Sequence, residues 1–426
     1  MYSVKQFPAG DFRQTKQKVL NWLQQFGTFC FLDSHHYKIT PHAQECLAGA
    51  GIRRELSAPV GHALEALARF LKGKENDAWL FGHLSYDIKN ELAPLRSVYA
   101  GKSGFPDLYF FEPAVVVKLT DEEIRIYADD PDDIHKAIES QPGELLSTHE
   151  PLRLSQRLSR EEYVRTVRQL QEHIRRGDCY EINFCQEFYA EKKGLDPLHL
   201  YKRLGEISPS PFSAFYRHRN AWLMSASPER FLLRQGNRLI AQPIKGTSPR
   251  VAGDAMADEQ SREALRNSEK DKAENVMIVD LMRNDLSRVC EQGSVGVDEL
   301  FGIYSYPQVH QMISTISGKV DRTKSFTDII RACFPMGSMT GAPKQRVMEL
   351  IDQYETMRRG IFSGAVGYMA PGGDFDFNVV IRSLLYNAHT GYLSAPAGSA
   401  ITFYSDADNE WEECLLKVKG LNAVLS

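Results

Sequence analysis

Apolar and polar positions follow two different periods along the chain, and the change of period separates predicted strands from predicted helices. Short apolar runs at residues 28–32, 78–84 and 108–111 are typical of strands, and residues 62–71 have the spacing of an amphipathic helix. Residues 130–147 are acidic and contain proline, which predicts a linker with a short helix. We therefore place a domain boundary here and divide the chain into regions 1–155 and 156–426.

The second region begins with a strong helix signal. Ser159 and Glu162 have the spacing of a capping box, and apolar residues follow at helical intervals up to Gly177. Further helices are predicted at residues 268–286, 325–332, 345–354 and 408–421, and strands at 179–188, 229–244 (two strands around Gly236) and 377–386. Strands and helices mix without a βαβ rhythm, so we predict an α+β fold with antiparallel sheets.

Composition and charge narrow the classes of protein. The 426 residues contain 51 Lys and Arg against 55 Asp and Glu, a net charge of −4, which argues against nucleic-acid binding. We find neither a secretory signal nor an apolar run long enough to span a membrane, and the seven cysteines are scattered without a CxxC pair. We therefore expect a cytoplasmic protein with reduced thiols and no membrane or nucleic-acid partner.

Two pairs of carboxylates stand at the starts of predicted helices. Asp271 and Glu274 share one helix face, and the apolar run at 276–282 predicts that this helix is buried. Glu410 and Glu413 repeat the spacing on the last helix. Facing helices of this kind would offer the oxygen ligands that Mg²⁺ prefers. The alternative, an exposed helix with a Glu413–Lys417 salt bridge, is equally compatible with the sequence.

A hairpin brings two further candidates together. Glu229 precedes its first strand and Lys245 follows its second, so both should lie at one end, as a salt bridge or as an acid and a nucleophile. Gly246 allows a ligand to approach the backbone closely. His310 lies in an alternating strand, where a structural role is common. Arg382 lies in an apolar strand and needs an anionic partner.

Six segments taken together resemble the chorismate-utilising enzymes, which include anthranilate, aminodeoxychorismate, isochorismate and salicylate synthases. The resemblance covers residues 159–421 and is looser before that, where it suggests an anthranilate-synthase-component-I-like region. It implies a two-layered antiparallel β-sandwich flanked by helices, with the active site between the layers. The segments are GDCYEINFCQ (177–186), SASPERFL (225–232), PIKGTSPR (243–250), KDKAENVMIVDLMRNDL (270–286), FPMGSMTGAPK (334–344) and NEWEECLLK (409–417).

The resemblance also implies roles for individual residues. It makes Glu274 and Glu413 direct ligands of Mg²⁺, with Asp271 and Glu410 acting through water, and it makes chorismate the substrate. The remaining implied roles are catalysis by Lys245, Glu229 and His310, and substrate binding by Gly246, Thr247, Arg382, Gly398, Ser399, Ala400 and Lys417. Ala400 departs from the glycine that many relatives carry at this position.

Two positions point to one branch of the family. Lys245 is typical of aminodeoxychorismate synthases, whereas anthranilate synthases carry Ala there, and Glu181 stands where the water-adding relatives carry a basic Lys. The resemblance thus implies a Mg²⁺-dependent transfer of an amino group, which converts chorismate and ammonia to 4-amino-4-deoxychorismate. An anthranilate synthase component I is the alternative. Because no amidotransferase motif is visible, ammonia should come from a separate glutamine amidotransferase subunit.

The implied chemistry makes opposite demands on the pKa values of its two central groups. Glu229 must donate a proton near neutral pH, so burial should raise the pKa of its carboxyl. Lys245 must attack as a neutral amine, so we expect burial to lower the pKa of its ammonium.

Residues 31–34 correspond to an inhibitor-binding segment in some relatives, but an ordinary strand edge explains them equally well.

Overall fold

Two antiparallel sheets packed face to face form the framework of the protein. The computed structural model describes residues 2–37, 39, 41, 44–73, 78–143, 150–306 and 309–426. Within this part of the chain, one sheet has twelve strands and the other has ten. The strands are β1 Ser3–Pro8, β2 Thr28–Asp33, β3 Cys46–Ala50, β4 Arg54–Ala58, β5 Leu80–Leu84, β6 Leu108–Glu112, β7 Val115–Leu119, β8 Glu123–Ala128, β9 Ser155–Gln156, β10 Glu181–Glu191, β11 Phe212–His218, β12 Ala221–Ser227, β13 Arg230–Gln235, β14 Arg238–Gln242, β15 Ile244–Pro249, β16 Gly296–Ser305, β17 Val309–Lys319, β18 Gly341–Ala342, β19 Ala365–Met369, β20 Phe375–Val379, β21 Ser383–Asn387 and β22 Tyr392–Thr402.

Helices cover the outer faces of the sheets, and several begin at the capping residues that the sequence indicates. Ser159 forms a reciprocal capping box with Glu162, and the Ser268 side chain caps the helix that carries Asp271. The helices are α1 Phe12–Leu23, α2 Ala63–Lys72, α3 Lys89–Leu92, α4 Pro131–Glu139, α5 Arg160–Arg175, α6 Pro197–Ile207, α7 Ala255–Asn267, α8 Glu269–Ser287, α9 Phe326–Cys333, α10 Lys344–Tyr354 and α11 Ala407–Val424.

The strand order mixes early and late parts of the chain. The twelve-stranded sheet runs β1-β8-β7-β3-β2-β11-β12-β21-β22-β10-β18, with β9 paired to β10. The ten-stranded sheet runs β15-β17-β14-β13-β20-β19-β5-β6-β4, with β16 paired to β17. Strands from before residue 155 therefore belong to both sheets, and β2 pairs directly with β11 and β5 with β19. The division at residue 155 stays a prediction, but both regions contribute to each sheet.

Strand β2 shows why its sequence is a continuous apolar run. Phe29 and Phe31 pack under the helices, whereas Cys30 between them packs in the core between the sheets. Since successive side chains of a strand point to opposite faces, both faces must be apolar when both are covered. The α+β class and the antiparallel sandwich predicted from the sequence are confirmed by this arrangement.

The single strand predicted at residues 377–386 is wrong. The structure has two strands here, β20 in the ten-stranded sheet and β21 in the twelve-stranded sheet, and the chain crosses between the layers at 380–382. Arg382 has a φ of +51°, a left-handed conformation that ends extended pairing. The largely apolar sequence hides this crossing because both strands are buried.

A buried ion pair ties the hairpin β13–β14 to β20. The guanidinium of Arg230 donates from Nε and Nη2 to the two carboxylate oxygens of Asp376, each at 3.0 Å, and neither side chain is appreciably exposed. We expect Asp376→Asn to lower the free energy of unfolding by about 3–5 kcal/mol, because it leaves a buried charge without its partner. Denaturant titration measures this loss.

A surface ion pair provides the matched control for that prediction. Asp298 lies 2.6 Å from Arg238, and both side chains are more than a third exposed. Asp298→Asn should therefore change the free energy of unfolding by less than about 1 kcal/mol. Equal losses in the two variants would contradict the assignment of Arg230–Asp376 as a core ion pair.

Candidate active site

Lys245 lies between the two sheets, beside a carboxylate from the opposite layer. It is the second residue of β15, and its Nζ donates a hydrogen bond to Oε1 of Glu181, the first residue of β10. Lys245 is 9% exposed and Glu181 is 1% exposed. The ion pair thus connects the ten-stranded sheet to the twelve-stranded sheet, at the predicted position of the active site between the layers.

Glu229 occupies the same end of the hairpin as Lys245. The β13–β14 pairing brings Arg230 opposite Gln242, and the backbone N–H of Ile244 donates to the Glu229 carboxylate. Burial raises the pKa of Glu229 to about 7, against the opposing effects of the Ser338 hydroxyl and the Lys245 charge. This pKa suits a group that donates a proton near neutral pH.

The expectation that the pKa of Lys245 is lowered is wrong. Burial lowers it, but the nearby carboxylates of Glu181, Glu274 and Glu229 act in the opposite direction and together raise the pKa above its ordinary value. The contact with the Glu181 carboxylate and the raised pKa both favour the ammonium form of Lys245. A nucleophilic role requires that one of its neighbours first remove a proton.

The two predicted acidic helices face the same cleft. Glu274 on α8 lies 3.9 Å from Lys270, whose charge also lowers the pKa of Glu413 on α11. Burial raises the pKa of Glu274 to about 7. Lys417 lies 2.6 Å from Glu413, as the salt-bridge alternative predicts. Glu274 and Glu413 thus both interact with the charge of Lys270. The Glu413–Lys417 salt bridge is present together with this arrangement of the two helices.

Asp271 and Glu410, the carboxylates predicted to act through water, also border this cleft. A Cβ on Gly246, whose φ is +92°, would approach Oδ1 of Asp271 to 3.1 Å, so this glycine lets β15 lie directly against α8. Glu410 is 4% exposed, and its Oε2 has no hydrogen-bond partner within the described residues. The prediction that α8 is buried is confirmed for Ile278, Val279 and Met282, whereas Val276 in the same apolar run is 41% exposed.

The four carboxylates suit a hydrated hard cation better than a metal held entirely by protein. Across the described part of the chain, no group of three or more His, Cys, Asp or Glu side chains is close enough to enclose a metal ion. Mg²⁺ retains several waters and typically takes only one or two carboxylates. The oxygen-only donor set and the unpartnered Oε2 of Glu410 fit such an ion.

Arg382 adds a further positive charge near Glu413. It lies where the chain crosses from β20 to β21, and its charge interacts with Glu413. Burial lowers the pKa of its guanidinium, because burial disfavours the charged form. We find no hydrogen bond from this guanidinium to any residue that the structure describes. A half-buried arginine with free donors is suited to bind a carboxylate.

Strand β22 lines the cleft next to β10. Gly398 lies opposite Cys185, and a Cβ there would come within 2.3 Å of the Phe184 carbonyl oxygen. Lys417 Nζ donates to the Gly398 carbonyl at 2.7 Å, and the Ser399 hydroxyl is 3.1 Å from that of Tyr163. The side chain of Ser399 and the carbonyl of Gly398 therefore already have partners within the protein, and substrate binding by residues 398–400 stays a prediction.

The structure places three other candidates, Ala400, Thr247 and His310, on strands β22, β15 and β17. Ala400 lies opposite Asn183 in the register, and Thr247 is an exposed residue of β15. His310 lies opposite Ser248, and its ring nitrogens contact the Ser305 hydroxyl at 2.8 Å and Asp258 at 3.2 Å. These partners are compatible with a structural role for His310, and its catalytic role stays a prediction.

Sequence reasoning missed the residues that support Lys245. Glu181 was used only to exclude the addition of water, although a lone carboxylate in an apolar strand already indicates a buried partner. Arg359 and Glu355 form a second buried pair, in which the guanidinium also donates to the carbonyls of Met339 and Asn183 at 2.6 and 2.9 Å. This pair connects the segment at 334–344 to β10, and no local pattern identifies it.

Comparisons with known proteins agree with the geometry. The family model described as chorismate binding enzyme matches residues 28–423. Aminodeoxychorismate synthase component 1 of Klebsiella aerogenes is 39% identical over 343 residues, which are 79% of this chain and 75% of that protein. The protein of the same name from Salmonella typhimurium is 38% identical over 344 residues, 79% and 74% of the two chains.

The fold also has close counterparts among solved structures. The crystal structure of anthranilate synthase component I from Streptococcus pneumoniae matches with a TM-score of 0.78 at 24% identity, over 92% of this chain and 95% of that chain. At this identity the likeness establishes the fold alone. Together with the family match over most of its length, it shows that this chain belongs to the chorismate binding enzyme family.

Proposed function

We propose that this chain converts chorismate and ammonia to 4-amino-4-deoxychorismate, as the larger component of an aminodeoxychorismate synthase. The carrying observation is the buried amine of Lys245, held between the sheets next to Glu181 and near the acid Glu229. Two relatives that match most of their length are named aminodeoxychorismate synthase component 1, which supports the same reaction.

The charges of the cleft match a dicarboxylate. Arg382 offers free guanidinium donors to one carboxylate of chorismate, which orients the ring. The acid Glu229 protonates the C4 hydroxyl, which is otherwise a poor leaving group. The amine of Lys245 attacks C2 and forms a covalent adduct, and ammonia then attacks C4 and releases the amine. The sum of these steps replaces the hydroxyl by an amino group.

Magnesium is part of this proposal. Glu274 and Glu413 would hold it directly, with Asp271 and Glu410 further out. The bound ion would neutralise the second carboxylate of chorismate. Support comes from the shared approach of Glu274 and Glu413 to Lys270 and from the unpartnered oxygen of Glu410.

Removal of the metal gives a direct test of the metal site. We expect turnover to stop after treatment with EDTA and to return with Mg²⁺.

Glu410→Gln should weaken the binding of Mn²⁺, measured by electron paramagnetic resonance, by roughly 10–100-fold, because outer ligands orient the inner ones. The exposed Glu412→Gln on the same helix is the control. Unchanged Mn²⁺ affinity in Glu410→Gln would contradict the outer-ligand role.

Arg382 should determine the affinity for substrate. We expect Arg382→Gln to raise KM for chorismate by roughly 10–100-fold, with a smaller effect on kcat. This is the loss of affinity expected when one charge-assisted hydrogen bond is removed. Arg382→Lys should recover only part of the loss because it lacks the planar fork. Steady-state kinetics measure both constants, and Arg283→Gln on the exposed side of α8 is the control. An unchanged KM would exclude this contact.

Ammonia is expected from a separate glutamine amidotransferase subunit. The name "component 1" of the relatives implies a second component, which supports a partner of this kind. The protein alone should accept ammonium salts as the nitrogen source, whereas glutamine should support turnover only when the amidotransferase is added.

Product identification tests the proposed function. The protein is mixed with chorismate, Mg²⁺ and ammonium chloride, and the products are separated by chromatography. We expect 4-amino-4-deoxychorismate, which a lyase added afterwards converts to p-aminobenzoate. Fluorescent anthranilate would support the alternative family member, isochorismate would indicate water addition, and the absence of any product would contradict an enzymatic role.

A further inference from the structure

The resting ion pair at Lys245 raises a chemical problem for the proposed function. An ammonium ion has no lone pair with which to attack carbon, so the reaction cannot begin until Lys245 loses a proton. Three carboxylates act on its charge, those of Glu181, Glu274 and Glu229. Glu229 has to keep its own proton for the leaving hydroxyl, and Glu274 faces Lys270 and Asp271 on its own helix.

Only Glu181 is in hydrogen-bond contact with Lys245 Nζ among the residues that the structure describes. Its Oε1 accepts the hydrogen bond, and its Oε2 is buried without a hydrogen-bond partner in the described part of the chain. Structural carboxylates in the same protein differ in this respect. Both oxygens of Glu355 are bonded to Arg359, and both oxygens of Asp376 are bonded to Arg230. A buried carboxylate oxygen without a hydrogen-bond partner requires an explanation, and a catalytic role provides one.

Resting on the function proposed above, we infer that Glu181 is the catalytic base that takes a proton from Lys245 before the attack and returns it when the amine is released. The position of Glu181 suits this role because the hydrogen bond already lies along the path of the proton. Its strand is anchored at this end, since β18 pairs Ala342 with Glu181 and Gly341 with Ile182.

The protons balance over the cycle. One N–H proton of Lys245 passes to Oε1 of Glu181, and the nitrogen lone pair forms the bond to C2 while the C4–O bond breaks and water leaves with the proton of Glu229. Ammonia then forms the C4–N bond, and the electron pair of the C2–N bond returns to Lys245, which regains its proton from Glu181. The new C4 ammonium gives one proton to Glu229. The sum is chorismate plus ammonia to 4-amino-4-deoxychorismate plus water.

The variant Glu181→Gln tests this assignment with little change of shape. Its amide oxygen can still accept the hydrogen bond from Lys245, but it cannot take the proton. With chorismate and Mg²⁺ but no ammonia, we expect the covalent adduct to form at least about 100-fold more slowly than in the wild type, the effect of removing a general base. The dissociation constant of chorismate should change by less than about threefold.

Glu187→Gln is the matched control, because Glu187 lies on the same strand and also forms an ion pair, which is partly buried. Its Oε2 accepts from Arg157 at 2.6 Å, six residues from Glu181 and about 20 Å along the strand. This variant should form the adduct at the wild-type rate. Thermal unfolding of both variants shows whether either substitution disturbs the fold.

Chemical rescue separates a base from a structural residue. Glu181→Ala leaves space beside Lys245, and added formate or acetate should restore adduct formation in proportion to its concentration, whereas chloride should not. Adduct formation at the wild-type rate in Glu181→Gln, or no rescue of Glu181→Ala by either carboxylate, would overturn the assignment of Glu181. If the wild type itself forms neither adduct nor 4-amino-4-deoxychorismate, the proposed function fails as well, so the two failures are distinguishable.

Discussion

Replacing Lys245 by Gln should abolish the formation of 4-amino-4-deoxychorismate, with a loss in kcat on the order of 10³-fold or more. The amine is the proposed nucleophile, and removal of a nucleophile commonly has an effect of this size. Gln keeps a hydrogen-bond donor for the buried Glu181 carboxylate, so the fold has a better chance of surviving than with Lys245→Ala. Product formation from chorismate and ammonium chloride measures the loss.

The control for this variant is another buried lysine in an ion pair, which joins α3 to α10. Lys89 is fully buried and lies 2.6 Å from Asp352. Lys89→Gln should lower the free energy of unfolding but leave kcat close to that of the wild type. Turnover by Lys245→Gln within about tenfold of the wild type would exclude covalent catalysis through this side chain.

Replacing Glu229 by Gln should lower kcat/KM by about 10²–10⁴-fold, because the C4 hydroxyl then leaves without a proton. The substitution preserves the shape of the side chain and keeps an oxygen for the N–H of Ile244. The lysine nucleophile is still present, so binding of chorismate should be largely unaffected. Turnover close to that of the wild type would show that the proton comes from another group.

The pH dependence of kcat/KM tests the assignment of Glu229 as the proton donor. Burial raises the pKa of Glu229 to about 7, and a proton donor is active in its protonated form, below its pKa. We therefore expect kcat/KM of the wild type to fall above about pH 7, approaching tenfold per pH unit. The measurement needs saturating Mg²⁺ and a constant concentration of free ammonia. In Glu229→Gln this decline should be absent.

Much of the fold could be predicted from the sequence because local signals and packing agree. The capping box at Ser159, the Ser268 cap and the turn at Gly236 all lie where the residue types place them. The crossing near Arg382 could not be predicted, since β20 and β21 are both apolar and only the backbone conformation separates them. Pairing of β2 with β11 is likewise a long-range contact that no local pattern specifies.

The candidate site could be predicted only in part from the sequence. The hairpin geometry placed Glu229 near Lys245, and helical spacing placed Glu274 beside Asp271. The protonation state of Lys245 was wrongly predicted, because it depends on Glu181 from the opposite sheet. Burial alone lowers the pKa of a lysine, but a carboxylate in contact reverses the direction. Such partners become visible only when the two layers are assembled.

The intact mass of the protein after mixing with chorismate and Mg²⁺, without ammonia, shows directly whether Lys245 forms a bond to the substrate. We expect a mass increase equal to one chorismate less one water, carried by the peptide that contains Lys245, and its loss when ammonium is added. An unchanged mass in a protein that converts chorismate to 4-amino-4-deoxychorismate, or an adduct on any other residue, would contradict the nucleophilic role of Lys245.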